Sequence, residues 1–147
     1  MRQRRLQIDI NKCMGCCACE IACKMEYDLP RGVRFIVMKQ SEESTANGDK
    51  LRFGFDVCRQ CKDPICKDVC PQKSITKRED GIVIVDEKTC TGCRLCLVAC
   101  PWKIPQFQET DHGGIIMRKC SLCNNRLDQG LQPSCVIACP AEAIKVV

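Results

Sequence analysis

The chain has 147 residues, enough for one domain or two small fused ones, and no run approaches the roughly 20 apolar residues that cross a bilayer. Its 17 cysteines, an odd count set mostly two or three residues apart, exclude a disulfide scaffold and leave a metal-loaded chain; with six aromatic residues an ordinary apolar core would be thin. The formal charge of +5 is spread along the chain, and its one basic cluster, Arg2, Arg4 and Arg5, reads as a solvated terminus and not as a nucleic-acid patch.

From the N-terminus, Leu6, Ile8 and Ile10 alternate with polar residues, the period of a strand, and the absence of an apolar stretch after them argues against a signal peptide. Cys13, Cys16, Cys19 and Cys23 follow as CxxCxxCxxxC. Residues 24–57 read as an added hairpin, with VRFIVMK and LRFGFDV as strands around the polar stretch QSEESTANGD. The second run, Cys58, Cys61, Cys66 and Cys70, stretches one gap to CxxCxxxxCxxxC. Residues 74–77 and 82–85 then form short strands across an Asp80-Gly81 turn. Cys90, Cys93, Cys96 and Cys100 repeat the first spacing, and residues 102–119 form a connector in which the HGG at 112–114 marks a turn. Cys120, Cys123, Cys135 and Cys139 make the fourth run, with eleven residues between its second and third cysteines, and CPAEAIKVV carries a last strand. Pro71, Pro101 and Pro140 directly follow the last cysteine of three runs, whereas Lys24 stands there in the first, which puts the local helix turn in question.

Three thiolates so closely spaced wrap one face of a cubane, and in bacterial-ferredoxin runs the fourth, one helical turn further on, ligates a different cluster. Structural zinc needs two CxxC knuckles a dozen or more residues apart, a spacing that only the fourth run approaches. The expected fold is therefore α+β, with two bacterial-type ferredoxin modules, each holding two [4Fe-4S] clusters, one inserted in the other. If the two ends pair, residues 1–23 and 120–147 form a split outer module, 58–101 an inner module, and 24–57 and 102–119 are additions, either partner-docking elements or caps over the clusters.

That arrangement gives four ligand sets: Cys13, Cys16, Cys19 and Cys139 for cluster a; Cys120, Cys123, Cys135 and Cys23 for cluster b; Cys58, Cys61, Cys66 and Cys100 for cluster c; Cys90, Cys93, Cys96 and Cys70 for cluster d. The alternative is that each run closes its own cluster. Four oxidised cubanes at about −2 each would bring the loaded chain to about −3. Cys17 stands outside the pattern, as a packed inert thiol or a backup ligand, and His112 reads as a surface or partner contact. Lys119, Arg59 and Arg94 lie beside the runs, as surface charges or as cations that raise a cluster's potential. No nucleophile, general base or phosphate loop appears, so the chain is expected not to be an enzyme on its own.

Over nearly its whole length, this four-run pattern resembles the four-cluster, ferredoxin-like electron-transfer subunits of molybdenum and tungsten bis-pterin oxidoreductases. These include the small subunits of dimethyl sulfoxide, polysulfide and thiosulfate reductases and formate dehydrogenases, and the subunits beside tungsten aldehyde oxidoreductases. The resemblance implies a wire of four [4Fe-4S] clusters with a catalytic subunit at one end and a flavoprotein, ferredoxin or another subunit at the other, and it supports the cross-wired ligand sets. Some relatives carry tryptophan in the third run and hold a three-iron cluster there; here all four positions are cysteine, and Trp102 follows the motif. Alternatives are a free polyferredoxin, the electron-transfer subunit of a hydrogenase or carbon monoxide dehydrogenase, and a zinc interaction module. With no anchor after Val147, cytoplasmic assembly is expected over a membrane quinol partner, although export with a partner bearing a Tat signal fits the same chain.

Since metal ligation substitutes for a thin apolar core, removing the iron should abolish cooperative folding. Far-ultraviolet circular dichroism of the chelated chain checks this, and a sharp thermal transition in the iron-free protein would contradict it.

Overall fold

The structure, a computed structural model, describes residues 3–147, so Arg2 and the first two residues of the expected outer module lie outside the described residues. The described residues form a mixed α/β fold of short elements: β1 Leu6–Ile8, α1 Ala18–Glu26, β2 Ile36–Thr45, β3 Gly48–Val57, α2 Ile65–Asp68, β4 Ile75–Lys77, β5 Val83–Val85, α3 Leu95–Ala99, β6 Gln106–Glu109, β7 Ile115–Arg118, α4 Asn124–Leu127, α5 Ser134–Ile137 and β8 Ile144–Val146. None of these helices is long and apolar enough to cross a membrane.

The helices are short for a reason visible in the sequence. A helix that starts near the third cysteine and must stop before a Cys-Pro step has room for little more than one turn. After that step α2, α3 and α5 share one exit turn: the backbone N–H groups of Lys73, Lys103 and Glu142 donate to the carbonyls of Cys70, Cys100 and Cys139, each at 3.1 Å. All three donors have positive φ. With Lys24 in place of proline, α1 instead continues past Cys23 to Glu26. There the Glu26 carboxylate meets Arg126 at 3.3 Å and accepts a hydrogen bond from the Ser134 hydroxyl, tying the longer helix to α4 and α5.

Each of the four antiparallel sheets has two strands. The first and last strands pair, Leu6 opposite Val146 and Ile8 opposite Ile144, and Arg5 and Val147 exchange both backbone bonds at 2.9 Å. Strands β4 and β5 pair across a turn in which Gly81 has φ +85. Helix α1 packs on α5, and α2 on α3. Arg4 is not simply solvated, since its guanidinium lies 3.7 Å from Asp80.

Two expectations change. The hairpin in residues 24–57 does not start at Val33: Val33 and Phe35 are buried ahead of β2, and the strands extend through most of the polar stretch to a turn at Ala46 and Asn47. An Asn-Gly step, with Gly48 at φ +105, sets that tight turn, and cross-strand charge pairs such as Glu43 with Arg52 at 2.5 Å line the polar arm. Residues 102–119 are more than a connector, because β6 and β7 form a second added hairpin, closed by the turn from Thr110 to Gly114 that contains HGG.

Thiols lie inside the core. Ile36, Ile82, Leu122 and Ile144 pack with Cys19, Cys23, Cys120 and Cys135, and a smaller group joins Ile75, Val83 and Met117 to Cys96. Gln60 links the segments bearing these groups: wholly buried, it donates to the Cys120 carbonyl at 2.8 Å and accepts from the Val83 N–H at 2.8 Å. Replacing it by leucine keeps the volume but strands both backbone groups away from water, at a cost of about 2–4 kcal/mol. Gln60→Leu should therefore lower the apparent Tm for anaerobic bleaching of the loaded protein by roughly 5–10 °C at a fixed scan rate. An unchanged Tm would mean the link carries no stability.

Candidate iron–sulfur cluster sites

Each cysteine run opens with the same backbone device. Two residues after the first cysteine the chain turns left-handed, at Gly15, Gln60, Gly92 and Leu122, with φ of +73°, +49°, +65° and +57°. This curls the loop so that amides can point at sulfur: Gly15 N–H donates to Cys13 Sγ and Leu122 N–H to Cys120 Sγ, both at 3.4 Å. Glycine is needed where something presses on the loop. A β-carbon on Gly15 would lie 2.7 Å from the Phe53 ring, and one on Gly92 would lie 2.9 Å from Ile115 Cβ. Gln60 and Leu122 accept the left-handed cost, roughly 1–2 kcal/mol, and are held by burial.

These loops bring the expected residues together in mixed groups. Cys13, Cys16 and Cys19 share a hollow with Cys139. Cys58, Cys61 and Cys66 share one with Cys100. Cys90, Cys93 and Cys96 share one with Cys70. Cys120, Cys123 and Cys135 are buried with Cys23, close enough that burial first, and then the charges of the other three, push the Cys135 thiol well above its ordinary range.

Burial is also the largest cause at Cys19 and Cys96, pushed up to about 11, and at Cys120, pushed up to about 12. Such thiols need a positive partner before they ionise, and an iron core supplies it. The donor set fits that core. Three hollows are each lined by four of the predicted cysteines, and backbone N–H groups donate to Cys13 and Cys120 sulfur.

Two added hairpins cover the hollows of the first and third runs, a role that the sequence left open. Met38 and Phe55 of the first hairpin line the hollow of Cys13, while Phe107 and Met117 of the second line that of Cys90. Met117 N–H also donates to Cys90 Sγ at 3.3 Å, a bond from a distant segment with no signal in the motif. Ala143 N–H does the same for Cys139 at 3.3 Å. Arg59 stacks 4.1 Å over the Trp102 ring beside the third run, and Arg94 lies 5.2 Å over Phe107. Cys17 lines the first hollow, its thiol directed at the Gly15 carbonyl at 3.7 Å, and His112 is exposed in its turn.

Short cysteine loops, one-turn helices and paired terminal strands define a ferredoxin-type iron–sulfur protein. Comparison with known proteins agrees. The 4Fe-4S dicluster domain family matches residues 50–147. The B component of anaerobic dimethyl sulfoxide reductase from Escherichia coli K12 is 39% identical over 145 residues, covering 93% of this chain and 69% of the relative. Its counterpart in Haemophilus influenzae is 36% identical over 154 residues, 98% of this chain and 73% of the relative. The B component of tetrathionate reductase from Salmonella typhimurium is 35% identical over 138 residues, 90% of this chain and 52% of the relative. The protein belongs to this 4Fe-4S dicluster family of reductase iron–sulfur subunits: it is a non-catalytic electron-transfer chain whose cofactors are [4Fe-4S] clusters.

If Cys139 completes the site of the first run, Cys13→Ser and Cys139→Ser should disturb the same electron paramagnetic resonance signal and leave the other three. Loss of different signals in the two variants would contradict this grouping.

Proposed function

We propose that the chain carries electrons through four [4Fe-4S] clusters between a catalytic subunit, of the molybdenum or tungsten pterin class, and a second redox partner such as a flavoprotein, ferredoxin or another subunit. The supporting observation is the order of the thiol groups. Cys19 lies near enough to Cys23 and Cys135 to oppose their ionisation, Cys58 does the same to Cys120, and Cys66 to Cys96. Read as ligand sets a, b, c and d, these neighbours form one unbroken row. The ends of that row reach the surface, since Cys16 of set a and Cys93 of set d are the two exposed thiols.

When bound, the clusters supply one-electron chemistry at potentials spanning roughly −700 to +450 mV in proteins of this kind. The protein's own groups set where in that range each lies. Amides of Gly15, Leu122, Met117 and Ala143 favour the more negative, reduced state by donating to ligand sulfur. Phe55 and Phe107 keep water from the end sites.

The nested arrangement of an outer module, 1–23 with 120–147, around an inner one, 58–101, is supported by the pairing of β1 with β8 and of β4 with β5, and by the packing of α1 on α5 and α2 on α3. The names of the relatives, chains and subunits of reductases, support a catalytic partner. Cluster-ligating cysteines in this number suit assembly in a reducing, cytoplasmic compartment.

Anaerobic isolation from the native host, with molybdenum and tungsten assayed in whatever co-elutes, tests the partner class. The expected result is a complex containing this chain and one of the two metals. A fully loaded chain that elutes alone would favour a free polyferredoxin, and nickel in the complex would favour a hydrogenase.

A further inference from the structure

Lys119 is buried, with 6% of its surface exposed, and its ammonium donates to the carbonyls of Val83 and of Cys120, the latter at 3.2 Å. None of the ion pairs among the described residues includes it. A buried cation answered by carbonyl dipoles alone is costly, and buried charges are ordinarily paired. Its missing counter-charge has an obvious source. The ammonium bonds the backbone of Cys120, in set b, while the same side chain lines the hollow of set c with Cys58, Cys61, Cys66 and Cys100.

We propose that Lys119 is a fixed cation shared by the second and third clusters, b and c, which raises the reduction potentials of both and leaves the end clusters a and d nearly untouched. The inference rests on the ligand sets proposed above. When one electron enters either site, that site becomes one unit more negative. A positive charge held in a buried, weakly polarisable setting favours that reduced state strongly. Arg59 and Arg94 differ in kind: both are exposed on aromatic rings, where water and salt screen them.

The test is a redox titration followed by electron paramagnetic resonance on anaerobically purified, fully loaded protein, comparing wild type with Lys119→Met and Lys119→Arg. Iron and sulfide per wild-type chain check the ligand sets separately, and fewer than four clusters would overturn those sets whatever the lysine does. With four present, Lys119→Met should shift two of the four reduction equilibria at least tenfold towards the oxidised form, 59 mV for one electron, while Lys119→Arg holds them. Four unchanged midpoints in Lys119→Met, or equal falls in both variants, would overturn the proposal. Should Lys119→Met lose clusters, intact clusters at wild-type midpoints in Lys119→Arg would support a requirement for charge. Loss in both variants would overturn it in favour of packing.

Discussion

A cubane needs thiolates on four corners, and a loop as short as Cys13 to Cys19 can reach only three of them. The fourth must come from another part of the chain, and this requirement organises the molecule. It explains why the third cysteine of each run sits on or beside a helix, one turn long in α2, α3 and α5 and longer in α1, and why Cys70, Cys100 and Cys139 line the hollows of other runs. It explains why α1 packs on α5 and α2 on α3. It also explains how a chain with six aromatic residues keeps a core, since buried thiols occupy the places that aliphatic side chains would otherwise fill.

Function follows from the same constraint. The packing of α1 on α5 and of α2 on α3 brings thiol groups side by side, and under the proposed ligand sets the remaining junction lies where Cys58 approaches Cys120. Gln60 and Lys119 both sit at that junction and both bind the Cys120 carbonyl, one as a neutral amide and one as a cation. The same segment thus serves stability and electrostatics. The hairpins do what the short loops cannot, covering sulfur with Phe55 and Phe107, while Cys16 and Cys93 stay exposed.

Much of this was legible in the sequence because cysteine spacing is a geometric statement. The runs marked the loops, the prolines marked where α2, α3 and α5 stop, and the alternation of Leu6, Ile8 and Ile10 and the closing AIKVV marked β1 and β8. The polar arm of the first hairpin was not legible, since both of its faces are exposed and no apolar alternation survives between Gln40 and Asp49. Nor was the covering role of β6 and β7, whose bond to Cys90 Sγ joins residues 27 apart in sequence. Left-handed turns could be read at Gly15 and Gly92 but not at Gln60 and Leu122, where burial, joined at Gln60 by side-chain hydrogen bonds, holds an unfavourable backbone. Lys119 looked like any charge beside a motif, and only the tertiary fold buries it.

The central claim is that each cluster takes three thiolates from one run and the fourth from its partner run. The most direct measurement is an iron-edge anomalous difference map from crystals of the loaded protein grown without oxygen. Four compact peaks are expected, bonded respectively to Cys13, Cys16, Cys19 and Cys139; to Cys120, Cys123, Cys135 and Cys23; to Cys58, Cys61, Cys66 and Cys100; and to Cys90, Cys93, Cys96 and Cys70. Peaks each bonded to the four cysteines of a single consecutive run would contradict the claim.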